Sequence, residues 1–195
     1  MVIAKCRVTP AIAALAGRRI DVSDATIPRF PLLEVQHVYN KLLYRFRREN
    51  IQHLVCSAAC GADILALEAA RELAIPATVV LPFSPDIFRE VSVTDRPGAW
   101  GKRFDHLVQE ASDRGRLIDL QLEVSDENAF TVTNHRIIES VLDLRFTRKL
   151  AFVVWDGRSR GEGDSTAEFL KIALSHGLEK RCVMTTGKSC SEIVE

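Results

Sequence analysis

The stretch from Ile51 to Phe83 constrains the fold more than any other, because it reads as one complete β-turn-α-β unit. Ile51, Leu54, Val55 and Cys56 make a short apolar run that stops at Ser57-Ala58-Ala59-Cys60-Gly61, small residues that let a backbone turn tightly. From Ala62 to Ala74 apolar side chains occupy nearly every face, with Glu68, Arg71 and Glu72 on a narrow polar edge. A helix of that pattern belongs against a sheet. Pro76 closes it, and Thr78-Val79-Val80-Leu81 supplies the next parallel strand, ending at Pro82-Phe83. Right-handed crossover geometry then puts the turn after Cys56 on the carboxyl edge of the sheet, where open α/β sheets bind their ligands.

The rest of the chain extends this unit on both sides. Residues before Ala11 carry little pattern and read as a loose arm or an edge, and Ala11 to Ala16, stopped by Gly17-Arg18-Arg19, is the first strand. After a loop from Asp21 to Phe30, Pro31 opens a helix whose stripe is Leu32, Val35, Tyr39, Leu42 and Phe46. Ser84 to Gly98 is a long connection of the kind that forms lids or binding loops; Phe88 and Trp100 read mainly as pins for it. Trp100 to Ala111 predicts a helix, Arg116 to Val124 an alternating strand, and Glu127 to Phe146 a long helix. His135, inside that last helix, reads as an exposed or hydrogen-bonded residue rather than a catalyst. Leu150 to Trp155 is the most strand-like run, a helix opens at Asp164 and stops at Gly177, and Arg181 to Thr185 is a last short strand.

The expectation is one Rossmann-like domain over all 195 residues: α/β, doubly wound, a mostly parallel sheet with helices on both faces. Its core spans about residues 11–185, with 186–195 as a mobile tail. Lysine plus arginine balances aspartate plus glutamate at 26 each, so no global basic surface points to nucleic acid. No run reaches the length of a membrane span, no secretory leader is evident, and a cytoplasmic protein is expected. The five cysteines (Cys6, Cys56, Cys60, Cys182, Cys190) lack paired C-x-x-C spacing, which suits reduced thiols; no metal and no cofactor are expected.

Three strand ends carry small or polar turns: Gly17-Arg18-Arg19, Ser57 to Asp63, and Asp156 to Thr166. In a parallel sheet they gather on one edge, and two of them feed helix amino termini, whose N–H groups and dipole favour an anion such as phosphate. Neither G-x-G-x-x-G nor G-x-x-x-x-G-K-[ST] occurs, and there is no G-x-S-x-G elbow, which argues against dinucleotide, phosphate-loop and α/β-hydrolase chemistries. Glu168 sits at the expected ligand edge as a candidate carboxylate, but Ser165-x-x-Glu168 also reads as a capping box. Asp63 is open between a helix-dipole role and ligand contact.

These same residues carry a family resemblance. Gly17-Arg18-Arg19-Ile20-Asp21 resembles the G-H-R-I-D that opens one branch of the SLOG superfamily. Ser57 to Asp63 with Glu68-Ala69-Ala70 and Leu81-Pro82-Phe83 resembles its G-A-D, helix and L-P-F sequence, and Trp155-Asp156-Gly157 with Gly163 to Glu168 its W-D-G and G-G-T-A-D. The match runs in order from about Ala11 to Thr185. It implies a Rossmann-like sheet and a sensor of nucleotide-derived signals, of the kind found in bacterial stress or phage defence; the related LOG enzymes cleave the N-glycosidic bond of nucleoside monophosphates. Arg18 stands where the branch has histidine, and Asp164-Ser165 replaces its paired glycine. The LOG motif P-G-G-x-G-T-x-x-E is not met, because Phe169 rather than Glu168 falls at its third position after Thr166. The resemblance therefore implies a nucleotide-sized pocket more than it implies catalysis.

The functional expectation is a sensor or regulatory module for a nucleotide or nucleotide-derived small molecule. Ser57 and the N–H groups near Gly61 and Thr166 would cradle phosphate, with Asp63, Gly17, Gly157, Gly163 and Ser165 around it. Arg18 and Arg19 would neutralise the phosphate, and Phe83 or Trp155 would flank a base. The rival is an N-glycosidic hydrolase using Glu168 or Asp156, and a third reading is a scaffold with a vestigial pocket. No membrane and no nucleic-acid partner is expected; a homo-oligomer touching through Leu142 or Phe146, or an effector protein, is.

Overall fold

The computed structural model describes residues 8–187, so most of the expected arm and tail, with Cys6 and Cys190, lies outside the described residues. Six strands, β1 (Ala11–Gly17), β2 (Ile51–Cys56), β3 (Ala77–Leu81), β4 (Leu117–Asp119), β5 (Arg148–Trp155) and β6 (Glu179–Met184), form one sheet in the order β4-β3-β2-β1-β5-β6. Every pairing is parallel. The helices are α1 (Val35–Glu49), α2 (Ala62–Glu72), α3 (Pro85–Ser92), α4 (Trp100–Asp113), α5 (Ala129–Asp143) and α6 (Ser165–Ser175).

The topology follows from handedness. From β1 the chain steps outward to β4, and right-handed crossovers in that direction lay α1, α2 and α4 on one face. Then α5 carries the chain back across β3, β2 and β1 to β5, so α5 and α6 cover the other face. Because both faces are covered, alternate residues of each strand feed two separate cores. Leu15, Leu54, Leu81 and Phe152 point to the first, and Ile12, Val55, Val80 and Val153 to the second. Phe46 of α1 meets Phe152 of β5 edge to face at 5.2 Å, a contact worth roughly 0.5–1.5 kcal/mol beyond area burial.

At the amino edge of the sheet, Glu49 ends α1 nearly buried and accepts from Arg148 at 2.6 Å and Arg181 at 2.7 Å, tying that helix to β5 and β6. Burial alone would raise its pKa, but the hydrogen bonds from the two guanidinium groups outweigh it and the net shift is downward.

Several local expectations are corrected. The connection from Ser84 to Gly98 is not a plain loop: it contains α3, with Pro85 in its first turn and Phe88 on its buried face. β4 covers three residues rather than the run from Arg116 to Val124, because Gln121 adopts a left-handed φ of 53° and donates its N–H to Asp119. Leu32 lies in a single 3-10 turn ahead of α1 and is exposed, so the buried stripe is Val38, Leu42 and Phe46, with Val35 and Tyr39 beside it. Leu142 and Phe146 are half-buried against the second core. Among the described residues no helix is long and apolar enough to cross a membrane.

Gly17 joins the two halves of the sheet with no room to spare. A Cβ there would lie 2.4 Å from Ala62 Cβ and 2.7 Å from the Val154 carbonyl, both anchored in regular structure. Gly17→Ala is expected to destabilise the fold by about 1–3 kcal/mol, the usual range for overpacking, read as a lower urea midpoint with an unchanged slope.

Candidate functional site

The direction of winding reverses between β1 and β5, and the carboxyl ends of the strands open there into a cavity of about 500 Å³. Gly17, Ser57 and Gly163, one from each of the three predicted turns, line it together. That volume lies within the range of small-molecule sites.

The turn after β1 drives Arg18 inward, where it is 3% exposed. Its guanidinium donates to both oxygens of Asp164, at 2.6 and 2.8 Å, and through Nε to Asp156 at 3.3 Å. Another donor goes to the Arg158 carbonyl, and the Trp155 ring lies 5.9 Å away. Asp156 also accepts from Arg29 at 3.1 Å. Asp164 in turn is the N-cap of α6: its Oδ1 accepts the N–H groups of Thr166 at 3.1 Å and Ala167 at 3.3 Å, and its Oδ2 accepts that of Arg160 at 2.7 Å. Burial pushes this carboxyl up, yet the Arg18 and backbone hydrogen bonds pull it down to about 2.

Two expectations change as a result. The cap of α6 is Asp164, not Ser165, which is the first helical residue; Glu168 does not reach back to close a box but accepts from the Thr131 hydroxyl at 2.7 Å. The α6 amino terminus, expected to cradle phosphate through Thr166, already holds the chain's own carboxylate.

The α2 amino terminus has a different chemistry. Gly61, with φ of 100°, lets the chain pass so close to the β1 turn that a Cβ would sit 2.8 Å from the Arg18 carbonyl. Behind it Asp63, 6% exposed, uses Oδ2 to accept the Ala59 N–H at 3.2 Å. Among the described residues its Oδ1 has no hydrogen-bond partner, and neither has the Ser57 hydroxyl. Burial, only partly offset by the Ala59 N–H, raises the Asp63 pKa from 3.8 to about 7. Cys56 and Cys60 nearby are buried thiols whose pKa burial raises, Cys60 to about 11, so neither is a ready nucleophile.

Aromatic side chains, arginines and polar groups line the cavity together. Phe83 packs edge to face on Phe130 of α5 at 6.0 Å, and Phe88 also faces the cavity. Trp100 does not; its indole N–H bonds the Pro97 carbonyl and pins the loop. Arg19 pairs with Asp95 at 2.9 Å, as does Arg96 at 3.2 Å, while the half-exposed guanidinium of Arg160 stays 3.9 Å from Asp164.

Of the predicted ligand residues, Gly17, Arg18, Arg19, Ser57, Asp63, Phe83, Gly163, Ser165 and Thr166 line the cavity. Gly61, Trp155 and Gly157 stand behind that lining, as do Asp156 and Glu168, both engaged elsewhere. The sequence reading missed Arg29, Arg96, Phe130, Asn134 and Arg160, which also line it. Asn134 bonds the Ser165 carbonyl at 3.0 Å, whereas its neighbour His135 is exposed. A polar Asn flanked by Thr133 and Ile137 on one helix face was the available signal. Among the described residues no group of three or more His, Cys, Asp or Glu could hold a metal ion. No protein-family model matches the chain, and no curated protein sequence does either.

The two aspartates are expected to leave opposite marks on stability. Asp164 has a depressed folded pKa, so its contribution, on the order of 2 kcal/mol, is present above pH 4 and fades as pH falls toward 2; acid titration of Asp164→Asn should lack that segment. Asp63 has a raised folded pKa, so its favourable contribution is complete below pH 3.8 and lost as pH rises through about 7, up to an order of 4 kcal/mol. Asp63→Asn should therefore melt higher than wild type at pH 8 and close to it at pH 4.

Proposed function

We propose that this chain binds a nucleotide or nucleotide-derived small molecule in the cavity at the β1/β5 reversal and serves as a sensor or regulatory module. The observation that carries the reading is the composition of that one cavity. Aromatic walls (Phe83, Phe88, Phe130), an arginine rim and two unpartnered polar atoms on Ser57 and Asp63 suit a ligand with a flat apolar part, an anion and neutral polar groups. The motif resemblance to SLOG sensor domains supports the same reading.

The hydrolase alternative finds less support. Glu168 is bonded to Thr131 outside the cavity lining, and Asp156 is held by Arg18 and Arg29, so neither carboxylate is free to meet a ribose or a water. A vestigial pocket is disfavoured too, since drift toward a scaffold would fill or pair the buried oxygen of Asp63.

The test is a panel of nucleoside monophosphates, cyclic nucleotides and ADP-ribose-type nucleotides, with thermal shift and free-base release followed in parallel for wild type and Glu168→Gln. A thermal shift without base release, equal in both proteins, is expected. Base release by wild type that disappears in the variant would replace the sensor by a hydrolase.

A further inference from the structure

Resting on the nucleotide reading, we infer that Asp63 and Ser57 form a subsite for the vicinal hydroxyl pair of a ribose, between a base site at Phe83 and an anion site on the arginines beside β5.

The order of the sheet carries the argument. Neighbouring parallel strands lie about 4.8 Å apart, so functional groups on successive carboxyl ends are spaced like the successive parts of one small molecule. Phe83 follows β3, with Phe130 against it. Ser57 follows β2, and Asp63 stands in the first turn of the next helix. Past them come Arg29, in the connection after β1, and Arg160, in the loop after β5. Aromatic, carboxyl-and-hydroxyl, and cationic groups thus follow one another across β3, β2 and β1/β5, the order of base, sugar and phosphate in a nucleotide.

The chemistry of the middle position selects the sugar. Asp63 Oδ1 is buried and unpartnered, and as a carboxylate oxygen it needs a donor; the Ser57 hydroxyl, also unpartnered, can donate or accept. One hydroxyl of a vicinal pair can donate to Asp63 while its neighbour exchanges a hydrogen bond with Ser57. Phosphate would bring a second anion against the carboxylate, and among the described residues no arginine hydrogen-bonds or ion-pairs with Asp63 to offset it. The anion instead has Arg160, whose guanidinium, among the described residues, meets a carboxylate only at 3.9 Å, on Asp164. Burial first, and then the neighbouring charges of Arg18, Arg29 and Arg19 against the pull of Asp164, lower the pKa of Arg160.

A base edge can also donate N–H groups, so the test separates the two sources. AMP, GMP, CMP and UMP, their 2′,3′-dideoxy counterparts and ribose 5-phosphate would be titrated calorimetrically into wild type, Asp63→Asn and Ser57→Ala, with circular dichroism confirming the fold of each. At least one ribonucleotide is expected to bind wild type, with its dideoxy form weaker by about tenfold or more, as befits a lost charge-assisted hydrogen bond. Asp63→Asn should bind both forms alike, and Ser57→Ala should narrow the gap. Equal binding of ribo and dideoxy forms by wild type would overturn the ribose subsite while leaving nucleotide binding standing, as would a gap that survives in both variants. If no nucleotide and no ribose 5-phosphate binds, the nucleotide reading itself fails and takes this inference with it.

Discussion

A guanidinium sealed inside a protein is tolerated only when nearly all its donors are met, and Arg18 sets that condition for the whole carboxyl edge. It leaves the end of β1, crosses the switch point and is held by Asp164, Asp156 and the Arg158 carbonyl, all contributed by the segment after β5. Removing either carboxylate would strand buried charge, a change that typically costs about 3–5 kcal/mol. The loop after β5 therefore cannot move without the turn after β1. Gly17 completes the lock from the other side, bringing the backbone of β1 against Ala62 at the start of α2.

The same interaction decides what the cavity can accept. In many α/β folds a helix amino terminus at the switch point is left open for phosphate. Here Asp164 closes the α6 terminus with an internal anion and draws on Arg18 as well, so the strongest electrostatic feature of the region is spent on the fold. Asp63 brings a second carboxylate into the first turn of α2, where it accepts the Ala59 N–H ahead of the helix rather than capping it. With both helix ends carrying carboxylates, attraction for an anion shifts outward to Arg29, Arg96 and Arg160 at the rim.

Much of this was legible in the sequence, and the limits have physical causes. The β2-α2-β3 unit declared itself because both faces of a parallel sheet are covered, which turns strands and crossover helices into long apolar runs. The strand-end turns were visible through Gly17, Gly61 and Gly163, and handedness placed them on one edge. What could not be read is pairing at a distance. Arg18 and Asp164 are separated by 146 positions, so a cation read as serving a ligand turned out to serve the chain. Asp164 and Ser165 are adjacent residues that can each cap a helix, and only the backbone decides which stands outside the first turn. The short helix α3 escaped because eight residues between proline-rich loops show too few turns for a period to emerge.

Comparison of three buried acids isolates the residue that the fold alone does not explain. Glu49 is met by Arg148 and Arg181, and Asp164 by Arg18 and three backbone N–H groups; both are held below the usual carboxylate range despite their burial. Asp63 is buried like them, between Glu49 and Asp164 in exposure, yet among the described residues it has one backbone N–H and an oxygen with no partner, so burial prevails and its pKa rises. Helix-dipole attraction at the start of α2 is too small to balance this, being roughly 0.3–1 kcal/mol for an ordinary site. A serine or asparagine at that position would satisfy the Ala59 N–H without the penalty of a desolvated charge. On the ribose subsite proposed above, a sugar hydroxyl would supply the donor that the described residues do not, and pairing the buried carboxyl would add to the driving force for binding.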